Sequence, residues 1–159
     1  MRDTNLLQLA LGLMPPWTVT RSDFDPEAQR LDIRIDFPPG SRFPCPNCGA
    51  ADCLAYDTER MSWRHLNFFQ HQAYLNARVP RVRCDKCGIK KVHVPRARPD
   101  SGFTLLFEAL LMTMVSAMPV KTMARMVGEH DKVVAGAASL CGPGAGADRC
   151  LGGDPGRHR

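Results

Sequence analysis

Apolar and polar positions along the chain change period three times, and each change predicts a different kind of element. The opening LLQLALGL is short, follows Arg2 and Asp3, and runs into Pro15-Pro16 without a small-residue cleavage site, so it predicts an N-terminal helix rather than a signal peptide. Leu31, Ile33, Ile35 and Phe37 then alternate with polar residues, the period of a half-buried strand. With the β-formers of WTVTRSDF before them and DPEAQ as the turn, residues 17–37 predict a hairpin, ended by Pro38-Pro39-Gly40. Tyr74 to Cys84 predicts a strand broken at Pro80, and Ile89 to Val94 predicts another.

PRARPDSG forms a stiff linker, after which the period becomes helical. Phe103, Leu106, Phe107, Leu110, Leu111, Met114, Val115 and Met118 recur on one helix face, with Asp100 or Ser101 as the cap. Pro119 suits the first turn of a second helix with Val120, Met123, Ala124 and Val127 as its apolar set, and Gly128 ends it. From Lys132 the pattern is lost: residues 132–159 hold seven of the thirteen glycines and no aromatic. The expected fold is α+β. Residues 1–40 form a helix and hairpin, 41–98 a cysteine-bearing module, 99–131 two helices, and 132–159 a disordered tail.

Charge sharpens this picture. The net charge is +5, but Arg60 to Arg98 alone contains ten Arg or Lys against one acid, Asp85, and the remainder is slightly acidic. Such an excess favours a polyanion, most often nucleic acid. No apolar run approaches the ~18 residues of a membrane span. The expected location is therefore cytoplasmic, with no membrane and no small-molecule substrate.

Four of the seven cysteines fall in two C-x-x-C-G turns, PCPNCG and RCDKCG, supplying Cys45, Cys48, Cys84 and Cys87. Two residues between sulfurs let both thiolates face one way, and the following glycine permits the turn. Four soft ligands make a closed tetrahedral site, so one structural zinc ion is expected. Reduced unconnected thiols are the bland alternative. Cys53 is expected to be a spectator, and His65 and His71 to be strand or surface histidines rather than ligands. Arg64, Arg78, Arg81, Arg83, Lys86, Lys90, Lys91, Arg96, Arg98, Lys121 and Arg125 are the candidate DNA contacts, while Trp63, Phe68, Phe69 and Tyr74 fit a small core better than base stacking. A zinc-ribbon adaptor that docks on an acidic protein is the competing function.

The succession CPNCG, WRHLNFFQHQAYLNARVPRVRCDKCG, VHVPRARPDSGFTLLFEALL and MPVKTMARMVGEHD resembles the N-terminal part of ISL-three-type insertion-sequence transposases. The resemblance covers most of 1–131. It implies a zinc ribbon and a helix-turn-helix that bind the element's terminal inverted repeats, with nucleoid association and full-length transposase as a partner. In full-length members a DDE-type nuclease domain follows, whose three carboxylates hold two metal ions. No position here matches those acids, so no transposase chemistry is expected of this chain.

The resemblance stops at Lys132. A consistent codon choice for DKVVAGAASLCGPGAGADRCLGGDPGRHR, read one base later, yields TRLWRVLHHYVDQARARIDAWEVTRVGT, which has helical spacing and basic residues. A frameshift just after Asp131 is the expectation. The helix that reads bases would then be absent, leaving 103–130 marginally stable, and Cys141 and Cys150 would be accidents of the shifted frame.

Overall fold

The computed structural model describes residues 3–98 and 100–140. In chain order these form α1 (Asp3–Leu11), β1 (Thr18–Asp25), β2 (Arg30–Asp36), β3 (Arg42–Phe43), β4 (Cys53–Phe68), β5 (His71–Cys84), β6 (Gly88–Lys91), α2 (Leu105–Val115), α3 (Val120–Val127) and α4 (Asp131–Leu140). The α+β expectation holds. The expected tail from 141 onward, with Cys141 and Cys150, lies outside the described residues.

The strands make one sheet in the order β1-β2-β5-β4-β3, with β6 also on β5. The expected hairpin is present: β1 and β2 pair antiparallel, Phe24 opposite Leu31 and Ser22 opposite Ile33. What periodicity could not show is its docking. β2 runs parallel to β5 from Arg30↔Gln72 to Ile35↔Ala77, bridging the expected 40/41 boundary. Leu31, Ile33 and Ile35 therefore meet Ala73, Leu75 and Ala77 on one face, above the buried Trp63. One apolar cluster runs from Leu11 to Val94, closed at one end by Trp17, Phe37 and Phe43, whose rings lie 5.0–5.6 Å apart.

Pro80 does not break β5, contrary to the sequence reading. Its carbonyl accepts from Val92 N at 2.9 Å, so its ring nitrogen also faces the β2/β6 edge rather than β4. β2 pairing ends at Ala77 and β6 pairing begins at Arg81. The missing donor falls in the gap between the two partners, where proline costs no ladder bond.

Nearby, Ala55 pairs with Val82 and Asp57 with Arg81, so Tyr56 is a bulge residue. Across it the buried parity of β5 changes. Ala73, Leu75, Ala77 and Val79 are inside before it, Val82 and Cys84 after it, and Arg81 and Arg83 turn outward.

The helices form a second cluster: Phe103, Phe107 and Leu111 below Met123, Ala124 and Val127. Gly128 ends α3 at φ +72°, as expected. The start of α2 is corrected by one turn. Its cap is Thr104, whose Oγ1 accepts from Phe107 N, whereas Ser101 instead bonds Glu108.

The larger correction concerns the third helix, expected to be absent. α4 occupies Asp131–Leu140, and its Val134 and Ala137 close the apolar groove between α2 and α3. Alanine favours helix intrinsically, and two small apolar residues three apart suffice to seat a short helix on a waiting groove. The glycines further along hid that pair.

Candidate metal centre and nucleic-acid interface

Cys45 and Cys48 lie between β3 and β4, and Cys84 and Cys87 form the β5–β6 turn, so strand pairing folds the two turns onto each other. In the first, Gly49 N bonds Cys45 O at 2.9 Å and Cys45 N bonds Ala50 O at 2.8 Å. Gly49 and Gly88 both hold φ +72°, the left-handed conformation that C-x-x-C-G requires. All four sulfurs fall within 4.8 Å of one another, and Cys48 Sγ and Cys84 Sγ are 3.6 Å apart. A tetrahedron of Zn–S bonds near 2.3 Å puts its sulfurs about 3.8 Å apart, so this donor set fits zinc.

The backbone prepares the charge. Amides of Lys86 and Cys87 draw the Cys84 thiol down to about 7, and those of Cys48 and Asn47 lower Cys45. Ala50 N–H also lowers Cys48, yet the crowding sulfurs of Cys84 and Cys87 push it up to about 12. Four sulfurs this close cannot all be thiolates by themselves, and a dication removes the conflict. Cys53 stays outside the cluster, its thiol donating to Ala50 O at 3.5 Å and raised chiefly by burial.

Two family models match the chain. Residues 41–87 match the zinc-finger of transposase IS204/IS1001/IS1096/IS1165, and 92–137 match the helix-turn-helix domain of transposase family ISL3. These are the zinc ribbon and helix-turn-helix of the ISL3 transposase family. No curated protein and no solved structure matches the chain. The second match reaches 137, so it includes most of α4 and agrees with three helices rather than two. The ISL3 ribbon supplies a zinc-binding site, and both modules belong to DNA-binding transposase regions.

Within these modules the eleven candidate DNA contacts separate sharply. Arg64 is withdrawn, because its side chain is 3% exposed and ion-paired to Glu129 at 3.0 Å. Four others meet acids from elsewhere in the chain: Arg78 with Asp36, Arg81 with Asp57, Lys91 with Glu59, and Arg98 with the buried Glu108. Arg96 donates to Leu11 O at 3.0 Å. Counting charge over 60–98 missed these acids, all of which lie outside that stretch.

Arg83 lies over the Tyr56 ring at 4.6 Å, and its charge stays outward. Lys86 is exposed on the second knuckle, and Lys90 on β6 is exposed too but, paired with Val82, projects from the opposite face to Arg83. On the ISL3 helix-turn-helix, Lys121 and Arg125 share the outer face of α3, and Lys132 on α4 is exposed as well. Lys132 was missed because its segment read as tail. None of these six is in an ion pair among the described residues. Another large polar surface, a concavity of about 870 Å³ over the sheet, sets Arg34, Arg60 and Arg78 against Asp23, Asp32 and Asp36, too balanced to hold a polyanion.

The aromatics divide as well. Trp63 is core, as expected, and Tyr74 is half-buried beneath Arg30 at 3.7 Å. Phe68 and Phe69 are not core: they stack edge-on at the β4–β5 tip, 43% and 81% exposed. His65 and His71 sit at this end too, His65 bonded to Thr104 and His71 against Phe24, far along β5 from the sulfurs.

Proposed function

We propose that this chain is the DNA-recognition part of an ISL3-type transposase: it holds one structural zinc, binds the terminal inverted repeats of its element, and itself performs no strand transfer. The observation that carries this is the pairing of exposed cations on both modules, Arg83, Lys86 and Lys90 on the ribbon and Lys121, Arg125 and Lys132 on the helices, with a ribbon and a helix-turn-helix of one transposase family. Four thiolates around one ion leave no open coordination position, so the zinc shapes the ribbon and activates no water.

Among the described residues no helix is long and apolar enough to cross a membrane. Binding at the element's ends places the chain with the nucleoid in the cytoplasm, where it competes with full-length transposase for the same repeats. The shift of reading frame after Asp131 remains part of this proposal. α4 occupies the place of the base-reading helix, but its exposed positions among the described residues are Lys132, Val133, Gly136 and Ser139. Of the side chains that make bidentate base contacts, arginine, lysine, asparagine and glutamine, those positions hold Lys132 alone.

The test is binding to the element's end sequence and to random duplex across a salt series. Steep salt dependence with less than about tenfold preference for the ends is expected, against the 10³-fold or more of dedicated readers. A shallow salt slope on duplex DNA would favour the protein-docking adaptor instead.

A further inference from the structure

Arg64 joins the two modules from inside. Its backbone N bonds Gly102 O at 2.8 Å and its carbonyl receives Thr104 N at 2.9 Å, tying β4 to the linker before α2. Its guanidinium bonds Glu129 Oε1 at 3.0 Å, Val127 O at 3.2 Å and Asn67 Oδ1 at 2.6 Å, gripping the α3–α4 turn and the hairpin tip together. Gln72 Nε2 adds a bond to Gly128 O at 3.1 Å. Buried, saturated with partners and set over the Phe107 ring at 5.0 Å, this arginine is a joint and cannot swing.

From that joint the β4–β5 hairpin runs to the second knuckle. β5 continues unbroken from Gln72, which touches the α3–α4 turn, to Cys84. The twelve steps from Gln72 to Cys84 at about 3.3 Å each span ~40 Å. Pairing with β4 covers nearly this whole length, and β2 and then β6 brace the opposite edge. One turn of B-form DNA is about 34–36 Å.

We propose that the hairpin is a ruler: with Arg64 locking the helix-turn-helix to one end and the zinc knuckle presenting Arg83 and Lys86 at the other, the chain contacts one duplex at two places about one helical turn apart. The proposal rests on the DNA-binding reading above and adds a spacing and a positioning residue to it. Two contacts on one rigid frame bind as a linked pair, so the second occurs at high effective concentration.

The test uses zinc-loaded full chain and labelled random-sequence duplexes of about 10 and about 24 base pairs, below and above the ~12 base pairs that 40 Å of axis spans. Per register, the longer duplex is expected to bind about tenfold or more tighter. Arg83→Ala with Lys86→Ala should erase the length advantage. Arg64→Ala should erase the advantage while affinity for the short duplex is retained. ¹⁵N relaxation should then show β4–β5 and α2–α4 tumbling separately, where the parent shows one tumbling time. Glu129→Gln, which keeps an acceptor for Arg64, covers the case in which Arg64→Ala melts the helices, and should reduce the advantage partially. Equal affinity per register for both lengths overturns the ruler and leaves DNA binding standing. Failure to bind either duplex overturns the DNA-binding reading itself.

Discussion

His65 Nδ1 lies 2.8 Å from Thr104 Oγ1, the same oxygen that accepts from Phe107 N to start α2. A neutral imidazole can accept the threonine proton and leave the oxygen's lone pairs for the helix. A charged one must donate there and competes with the cap.

Acid should therefore loosen the contact between ribbon and helices. Burial, with Arg64 adjacent, lowers His65 to about 4 from an ordinary value of 6.5. The unfolded chain then takes up this proton first, so stability is lost as pH falls from about 6.5 towards 4 and is fully present above that window. The contribution is on the order of 3 kcal/mol. Denaturant melts at pH 7, 5.5 and 4.5 should show the slope, and His65→Gln should flatten it. A parent slope unchanged in that variant would remove His65 as the cause.

The metal centre predicts a sharp contrast between cysteines. Purified chain should carry one zinc by elemental analysis, and Cys84→Ser should lose it and about 4 kcal/mol or more of stability, the scale of a lost structural metal. Cys53→Ser should keep the ion, because that sulfur lies outside the cluster. Parent material free of metal would end the ribbon assignment.

Gly128→Ala probes the joint from the helix side. The residue holds φ +72°, and an added Cβ would stand 3.0 Å from Gln72 Nε2. Left-handed strain should cost about 1–2 kcal/mol, read as a lower thermal midpoint with zinc content unchanged.

Lys121→Ala and Arg125→Ala should each reduce the salt slope of DNA binding by about one and weaken specific and random duplexes alike, the mark of phosphate contacts. Arg81→Ala, whose charge is already met by Asp57, should change the slope by much less. An Arg81 effect as large as the Lys121 effect would show that its ion pair opens on DNA.

The zinc site was legible in the sequence because C-x-x-C-G is local chemistry: spacing and glycine geometry settle where the sulfurs point. The hairpin and the faces of α2 and α3 were legible for a related reason, since a period of two or 3.6 is a property of consecutive residues. The third helix was less visible, being held by Val134 and Ala137 against a groove that exists only once α2 and α3 have packed together.

Sequence alone pointed to the four clustered cysteines, the α+β class and the excess of cations in 60–98. Tertiary structure alone decided which cations are free. Arg64 and Lys86 look alike in a charge count, but one is sealed beneath the α3–α4 turn and the other stands open on a knuckle. Charge is written residue by residue, whereas its neutralisation depends on which strands pair: Asp36 reaches Arg78 and Glu59 reaches Lys91 only because β2, β4 and β6 lie against β5.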